Sequence, residues 1–510
     1  MPYLSALLPA LLRSVSAAPD MKIADEDADE ADFDGMETVQ VGEHIMGIKT
    51  SALEEKATAC HMLVVYLEEL QDGFFPYLES VGKELKPLLT FWYHEDVRAS
   101  AISAMPLMCR SALAFVRNNN ADPAIVQQVL SFVFPALVQT LMLEPEVMMQ
   151  AQCMRAIGRC AVESGAASLS SEQLAEATKS IKQVLEDSNE RLMSIVGDEG
   201  YDDEEDEQDE DDSRNIEDEE AVEAEEDLIE QAIYTVGKLL ETQGEVFQLG
   251  LDEILEWFLG KFDQAAHISQ KRLAMAMLDD MVEALAKHPG SAERYVATFM
   301  PHMLTGCMST DMELRQAALF GIGLCAQHGG AGFAPYRTEA LQTLLHVMGQ
   351  PDARTKDKES GTDNAAASLG KIAQFQPNPA AHEPMGVGTA EEIFGSWLAY
   401  LPLRGDLQES VLVNQQLSLL VEANHVALLG PNNANLPRIM SIFAEILETE
   451  LVEEETEKRI QGILRGAQAA APVQLEGACR GIPAEGVAKL QRAIAGASSP
   501  PDSAGAAQAK

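Results

Sequence analysis

Aromatic residues, basic residues and long apolar runs are all scarce in this 510-residue chain. Aromatics make up only 5% of a sequence that is 46% hydrophobic, and Ala, Leu, Met, Glu and Gln are abundant instead. Strands favour β-branched and aromatic side chains, so the composition predicts an all-α protein. No run of eighteen consecutive apolar residues occurs, so we expect no membrane contact through a spanning helix.

Positive charge is also scarce. The chain has 36 Lys and Arg against 82 Asp and Glu, which gives a formal net charge of −46. Such a surface repels nucleic acid and attracts basic proteins. We therefore expect no direct nucleic-acid binding, and basic proteins as partners.

Paired metal ligands and catalytic motifs are absent from the sequence. The seven cysteines form no CxxC pair and the ten histidines no HxxxH pair, which favours reduced thiols in the cytosol or nucleus and no metal site. The glycine-rich stretch His328–Gly332 could suggest an oxyanion loop, but that loop needs a preceding strand, so a helix C-cap is favoured. We expect no cofactor and no enzymatic activity.

One segment concentrates the negative charge. Residues Asp198–Asp227 contain twenty acidic side chains and one Arg. Like charges at this density repel one another, so the segment is expected to be a disordered acidic insertion. It either contacts basic partners or only solubilises the chain, and both interpretations stay open. Its densest block, the acidic loop, is Asp202, Asp203, Glu204, Glu205, Asp206 and Glu207.

Apolar helical segments recur along the chain with spacings of 48, 44, 40 and 56 residues, apart from one large gap that contains the acidic insertion. The second helix of a pair is clearest at His94–Leu107, and it recurs at Glu146–Gly158 and Asp311–Gly323. Single helical pairs cannot bury their apolar faces, so they stack into a solenoid. Periods of 40–47 residues are typical of HEAT repeats, and about nine pairs fit a superhelical HEAT solenoid.

Four charged residues at the starts of second helices are candidates for repeat stacking. Asp96 and Asp311 lie where a carboxylate can cap free N–H groups. Arg98 and Arg315 lie in the first turn, where a cation is unfavourable unless a carboxylate pairs with it. We expect that carboxylate to come from a neighbouring turn.

The repeats and breaks divide the chain into segments. The N-terminal apolar stretch lacks a basic region before it and contains Pro9, so it is interpreted as a first repeat helix, not a signal peptide. An array that begins abruptly with a helix suggests a fragment. The expected organisation is HEAT repeats over 1–197 with an acidic loop near 25–37, the insertion 198–227, HEAT repeats over 228–465, a terminal helix region 466–497 and a disordered tail 498–510.

Several irregular motifs resemble one protein family in matching order, from about residue 3 to 465. The motifs are Glu55–Leu70, Tyr93–Leu107, Glu313–Gly330, Trp397–Leu403, Leu419–His425 and Leu428–Pro437. In these motifs the sequence is similar to the carboxyl-terminal portion of importin beta-3 type karyopherins, nuclear import receptors of the importin-beta family.

The resemblance implies a nuclear import receptor. Such receptors bind basic cargo carrying nuclear localisation signals, such as ribosomal proteins or histones, in the cytoplasm. They pass the nuclear pore through weak contacts with FG nucleoporins and release cargo to the GTPase Ran in its GTP form. The family's amino-terminal repeats, which supply the principal Ran contacts, have no counterpart here. A cytoplasmic and nuclear location, including the pore, is implied.

Carboxylates and amides on second helices are the candidate cargo-binding groups, because they can hold Lys and Arg through many weak, salt-sensitive pairs. Asp279, Asp280 and Glu283 are the first candidates, since the resembling receptors carry a matching D-D-x-x-E, and Glu422 and Asn424 are second choices. All five could equally form a solvated helix face. Two other functions stay open: a static HEAT scaffold subunit, and an acidic chaperone for histones or ribosomal proteins.

Overall fold

A computed structural model of the chain describes residues 3–18, 21–25, 36–41, 44–198, 208–262, 267–377 and 388–496. The chain divides into two compact units, Met1–Lys287 and His288–Lys510. Each is built from consecutive helical pairs, and the described residues contain five pairs in each unit, close to the number expected from the repeats. The all-α fold class is confirmed, with one small sheet as an addition.

Each pair of the first unit consists of a first helix and a second helix. In the second pair the first helix, α3, is short and lies between two 3₁₀ turns. The helices of this unit are α1 (Leu4–Ser16), α2 (Thr50–Leu70), α3 (Leu78–Leu85, between 3₁₀ turns Gln71–Tyr77 and Lys86–Thr90), α4 (Glu95–Asn119), α5 (Ala124–Leu143), α6 (Val147–Ser164), α7 (Ser171–Asp198), α8 (Gln208–Gln243, followed by the 3₁₀ turn Gly244–Phe247), α9 (Gln248–Gly260) and α10 (Ile268–Ala286).

The second unit repeats the arrangement and ends in a short pair. Its helices are α11 (Val296–Gly306, preceded by the 3₁₀ turn Glu293–Tyr295), α12 (Met312–His328, followed by the 3₁₀ turn Gly330–Tyr336), α13 (Arg337–Met348), α14 (Glu359–Phe375), α15 (Ala390–Tyr400), α16 (Leu407–Glu422), α17 (Val426–Leu429, followed by the 3₁₀ turn Pro431–Asn433), α18 (Leu436–Ile446), α19 (Glu454–Ala470), α20 (Pro472–Ala478) and α21 (Ala484–Ala495).

Second helices pack side by side within each unit. In the first unit α2, α4, α6, α8 and α10 each contact the next, and in the second unit α12, α14, α16, α19 and α21 do the same. Apolar side chains between the rows of first and second helices form the core of each unit. The result is one continuous row of second helices per unit, which is the surface on which the predicted binding residues were placed.

A glycine and a hydroxyl group meet at a close contact between second helices in both units. The Thr235 hydroxyl donates to the Met154 carbonyl over 2.7 Å, and the Ser368 hydroxyl donates to the Leu319 carbonyl over 2.6 Å. A glycine follows each carbonyl by four residues, and a Cβ at Gly323 would lie 2.4 Å from the Ser368 oxygen. Only glycine therefore permits this spacing between second helices.

A three-stranded antiparallel sheet, which the composition did not predict, connects α1 to α2. Its strands are β1 (Met21–Asp25), β2 (Met36–Val41) and β3 (His44–Lys49), and β3 pairs with both others. The acidic loop expected near 25–37 thus begins and ends in strand residues, and positions 26–35 lie outside the described residues.

The acidic insertion is shorter than predicted. Helix α8 begins at Gln208, so residues 208–227 belong to a continuous helix and not to a disordered segment. Glutamate is a good helix former, and the same helix continues into the buried residues Leu228 and Ile229. The acidic loop residues Asp202–Glu207 lie outside the described residues. The tail 498–510 lies outside them too.

Two helices of the first unit, α4 and α5, are long and apolar enough to cross a membrane by length and composition. About half of each apolar window is buried, 56% in α4 and 50% in α5. Both helices pack against their neighbours within the unit. These properties are the ones expected of core helices in a helical-repeat array.

Candidate functional site

Helix α10 carries the first three predicted binding residues, but it does not present all of them to solvent. Asp279 is only 6% exposed and lies on the same side of the helix as the buried Met275 and Val282. This burial does not favour Asp279 as a cargo-binding residue. Adjacent residues on a helix are separated by about 100°, so Asp279 and Asp280 face different surroundings.

Asp280 and Glu283 are exposed and lie about one helical turn apart. Surrounding protein atoms desolvate the Asp280 carboxylate even though part of it reaches solvent. This desolvation raises the pKa of Asp280 to about 6, with a further rise from Glu283 and an opposing effect from Lys238. Neither carboxylate takes part in an ion pair within the described part of the chain. The two can therefore accept an external cation.

The neighbouring second helices add cations to the same face. Lys238 of α8 pairs with Glu241, with 3.0 Å between Nζ and Oε2, and Lys287 also pairs with Glu241. The Arg155 guanidinium carbon and the Lys238 Nζ both lie within 6 Å of the Tyr234 ring centroid. The surface is thus of mixed charge, and Asp280 and Glu283 form an acidic pair within it.

Glu422 and Asn424 belong to the second unit, at the C-terminal end of α16. Glu422 is 58% exposed and its Oε2 lies 3.4 Å from Nε of Arg459. Asn424 has a left-handed backbone with φ of 51°, and its amide donates to the Glu422 carbonyl over 3.3 Å. Asn424 is accordingly explained as a helix-terminating residue, while Glu422 still has an accessible carboxylate.

Arg98 is buried at the start of α4, with a buried carboxylate beside it. Its Nε lies 3.3 Å from Oε2 of Glu144, which follows α5 in the next helical pair, and both side chains are nearly inaccessible. The guanidinium also lies 5.5 Å from the Trp92 ring centroid. Burial raises the pKa of Glu144, and Arg98 opposes that rise. Asp96 is exposed and its side chain makes no cap hydrogen bond.

Polar contacts continue from Glu144 through the next pairs of the first unit. Gln150 donates to the Glu144 carbonyl over 3.0 Å, and Arg191 reaches the Gln150 amide oxygen over 3.4 Å. Arg191 also makes a two-point contact with the buried carboxylate of Glu225, including one bond of 2.9 Å. Glu225 is therefore the point at which the acidic first part of α8 joins the packed array.

At the start of α12, Asp311 caps the helix through a 2.9 Å bond from the Leu314 amide to its carboxylate. Arg315 donates its own backbone N–H to the Asp311 carbonyl. Its positive charge is one of the influences that lower the pKa of Asp352, after the hydrogen bond from Lys358. The cap predicted for this helix is thus present, whereas α4 and α6 have no side-chain cap.

The sequence did not single out Asp363, a fully buried carboxylate in α14. One oxygen accepts the backbone N–H groups of Arg404, Gly405 and Asp406 over 2.9, 2.6 and 3.2 Å, and the other pairs with Arg354. The turn before α16 is therefore built around this residue. An acidic residue just before the alanine run of α14 was the available indication.

Among the described residues, no group of three or more His, Cys, Asp or Glu side chains is arranged to hold a metal ion. Six cysteines are buried and Cys479 is half-buried. Burial raises the pKa of Cys60 to about 11, which keeps its thiol protonated and unreactive.

Stacked helical pairs with aligned second helices define a HEAT-repeat solenoid. The family model described as Importin repeat 6 matches residues 149–262. The importin subunit beta-3 of Saccharomyces cerevisiae is 26% identical over 469 residues, which cover 91% of this chain and 40% of that protein. Importin-4 of Mus musculus is 23% identical, over 74% of this chain and 32% of its own length.

Solved structures support the helical-repeat fold. Kap121p bound to RanGTP superposes with a TM-score of 0.70 at 21% identity, covering 97% of this chain and 42% of that one. Kap121p bound to Pho4p gives a TM-score of 0.68 at 21% identity, covering 96% of this chain and 42% of that one. Over most of its length the chain is thus similar to importin-beta family karyopherins. It spans about 40% of the length of its yeast relative.

Proposed function

We propose that this chain is part of a nuclear import receptor that binds basic cargo proteins, carries them through the nuclear pore and releases them to Ran-GTP. Its relatives are named importins. Structures of similar fold hold RanGTP in one case, and Pho4p, Ste12p or Nup53p in others. These relatives are transport receptors, which supports a non-enzymatic function.

One observation carries the cargo-binding part of the proposal. Asp280 and Glu283 are exposed and next to each other, and each lacks an ion pair within the described residues. A Lys or Arg of a bound peptide would meet two carboxylates at once, so each pair would form without breaking an existing one. Exposed pairs are worth about 0–1 kcal/mol each, so cargo would be held weakly and in a salt-dependent way. Glu422 offers a further carboxylate in the second unit.

Helix α8 carries further acidic residues before Glu225, among them Asp218, Glu219 and Glu220, on the same helix as Lys238, whose charge acts on Asp280. Their summed negative charge would accelerate the encounter with basic cargo. Basic partners such as ribosomal proteins or histones fit this charge, and FG nucleoporins would complete passage through the pore. The receptor would then shuttle between cytoplasm and nucleus.

Nucleotide-dependent release tests the proposal. A fluorescent Lys-rich peptide is bound to the longest product of the gene, because the resembling receptors take their principal Ran contacts from amino-terminal repeats that have no counterpart in this chain. Ran loaded with GTP or with GDP is then added while anisotropy is followed. Release by Ran-GTP alone supports an import receptor. Retention of the peptide with both nucleotides would instead indicate a static scaffold or an acidic chaperone, and the proposed release step would be wrong.

A further inference from the structure

Two buried cysteines on neighbouring second helices touch one another. Cys109 of α4 and Cys160 of α6 are both 0% exposed. The Cys160 thiol forms a side-chain hydrogen bond with the Cys109 thiol, and α4 and α6 pack directly side by side. Two thiols in contact need only lose their two hydrogen atoms to become a disulfide, so these residues, which the proposed function does not use, are a candidate cross-link.

An ion pair fixes the same turns of the two helices independently of the thiols. Arg110, which follows Cys109, donates from its Nε to Oε2 of Glu163 over 2.8 Å. The Nη2 of the same arginine donates to the other carboxylate oxygen. Glu163 lies about one turn after Cys160, so this two-point contact holds the two cysteines in register.

Both thiols are protected while the two helices are packed. Burial, followed by the hydrogen bond with Cys109, raises the pKa of the Cys160 thiol well above its ordinary value. The thiolate is the reactive form of cysteine, and neither residue reaches solvent. Oxidation therefore requires a local separation of α4 from α6. Helical-repeat arrays undergo such openings because each repeat contacts only its neighbours.

We propose that Cys109 and Cys160 form a redox-sensitive cross-link between the second helices of two consecutive pairs, with hydrogen peroxide as the oxidant. After local opening, one thiolate attacks a peroxide oxygen, so that an S–O bond forms, the O–O bond breaks and the departing hydroxide takes a proton to become water. The second thiolate attacks the sulfur of this sulfenic acid, the S–S bond forms, and the released hydroxide becomes a second water. The two cysteines lose two electrons to the peroxide, and their two thiol protons end in the two waters.

The cross-link fastens the second helical pair of the first unit to the third. A small thiol reverses it through thiol–disulfide exchange, so the two cysteines stay reduced in a reducing compartment and join only under oxidising conditions. One covalent bond between α4 and α6 then opposes the opening of these two pairs.

Peptide mapping of the whole chain tests the inference directly. The native protein is treated with dilute hydrogen peroxide, the remaining thiols are blocked with N-ethylmaleimide in denaturant, and the unreduced digest is analysed by mass spectrometry. We expect the main disulfide to join the peptides that contain Cys109 and Cys160, and it should disappear on treatment with a small thiol. Absence of this link, or a random mixture of links among the seven cysteines, would overturn the inference.

Hydrogen exchange shows whether the link holds α4 to α6. Amides of both helices should exchange at least about tenfold more slowly in the oxidised wild type than in the reduced protein, and Cys160→Ala should abolish that difference. The matched control is Cys153→Ala, because Cys153 is also 0% exposed in α6 but the charges that act on it are those of Glu144 and Arg98; this variant should keep the difference. Equal exchange in the oxidised and reduced wild type, or loss of the difference in both variants, would contradict the inference. The wild-type comparison decides the matter by itself if a variant does not fold.

Discussion

The buried pair of Arg98 and Glu144 gives the most quantitative prediction about the fold. Arg98→Met removes the cation and leaves the Glu144 carboxylate, whose side chain is 0% exposed, without its charged partner. Breaking a buried pair on one side costs about 3–5 kcal/mol, because the remaining charge is not compensated. The exposed pair Lys83–Glu79 provides the comparison, and Lys83→Met should leave the stability nearly unchanged.

A second substitution separates the lost charge from the lost packing. Arg98→Met/Glu144→Gln removes both charges, while the Gln side-chain oxygen can still accept the Glu146 backbone N–H that now bonds to Glu144 over 3.3 Å. Well-packed neutral replacements of a buried pair are often close to neutral. We expect the double variant to recover at least half of the stability lost in Arg98→Met.

The cost of Arg98→Met should also depend on pH. Burial already raises the pKa of Glu144 in the folded state, and Arg98 opposes that rise. Removing Arg98 raises this folded-state pKa further, so the folded protein takes up a proton more readily than the unfolded chain. The destabilisation is therefore fully present above the folded-state pKa and decreases as pH falls through it toward the ordinary glutamate value.

Hydrogen exchange of the α4 and α6 amides is the suitable assay, because repeat arrays open locally and each repeat has its own stability. Exchange at pH 7 gives the local opening free energy, and a series toward pH 5 gives its pH dependence. A loss below 1 kcal/mol in Arg98→Met, or a loss that grows on acidification, would refute the account of this pair.

Three further predictions concern other contacts of the fold. Gly323→Ala should destabilise the second unit by about 1–3 kcal/mol in urea unfolding, because the new Cβ would lie 2.4 Å from the Ser368 oxygen; an unchanged midpoint would contradict this close approach. Arg191→Met should accelerate hydrogen exchange in α8 near Glu225 by leaving that buried carboxylate unpaired, and unaltered exchange would show that the contact is dispensable. Burial lowers the pKa of Lys261 to about 8, so the cost of charging it in the fold is present below that pKa and is lost as pH rises toward the ordinary lysine value. Lys261→Met also removes the contacts of its ammonium with Asn189 Oδ1 and the Trp257 ring, so the effect of the substitution on urea unfolding of the first unit should be more favourable at pH 7 than near pH 10; a more favourable effect at the higher pH would contradict this explanation.

Repeat architecture and one of its polar contacts were accessible from the sequence. The helical spacing predicted stacked pairs, and the cation in the first turn of the second helix predicted a carboxylate partner nearby. The structure places Glu144 beside Arg98. The identity of this carboxylate partner could not be predicted, because Glu144 comes from the following helical pair and its position depends on how the two pairs stack.

The direction of individual side chains was harder to predict. Asp279 and Asp280 form one acidic motif in the sequence, yet packing buries the first and exposes the second. The boundary of the acidic insertion was wrong on its C-terminal side because charge density suggested disorder, whereas helix propensity and the packed residues from Glu225 onward extend α8. The small sheet before α2 had no strand-rich composition to reveal it.

We propose that Asp280 and Glu283 on the second-helix face hold basic cargo. Asp280→Asn/Glu283→Gln should weaken binding of a Lys-rich peptide about three- to tenfold at low salt, and the difference should shrink as salt is added. The matched control is Glu253→Gln/Glu256→Gln, which removes two exposed carboxylates with the same spacing from α9, the first helix of the same pair. Equal affinities of the two double variants across the salt series would contradict the claim.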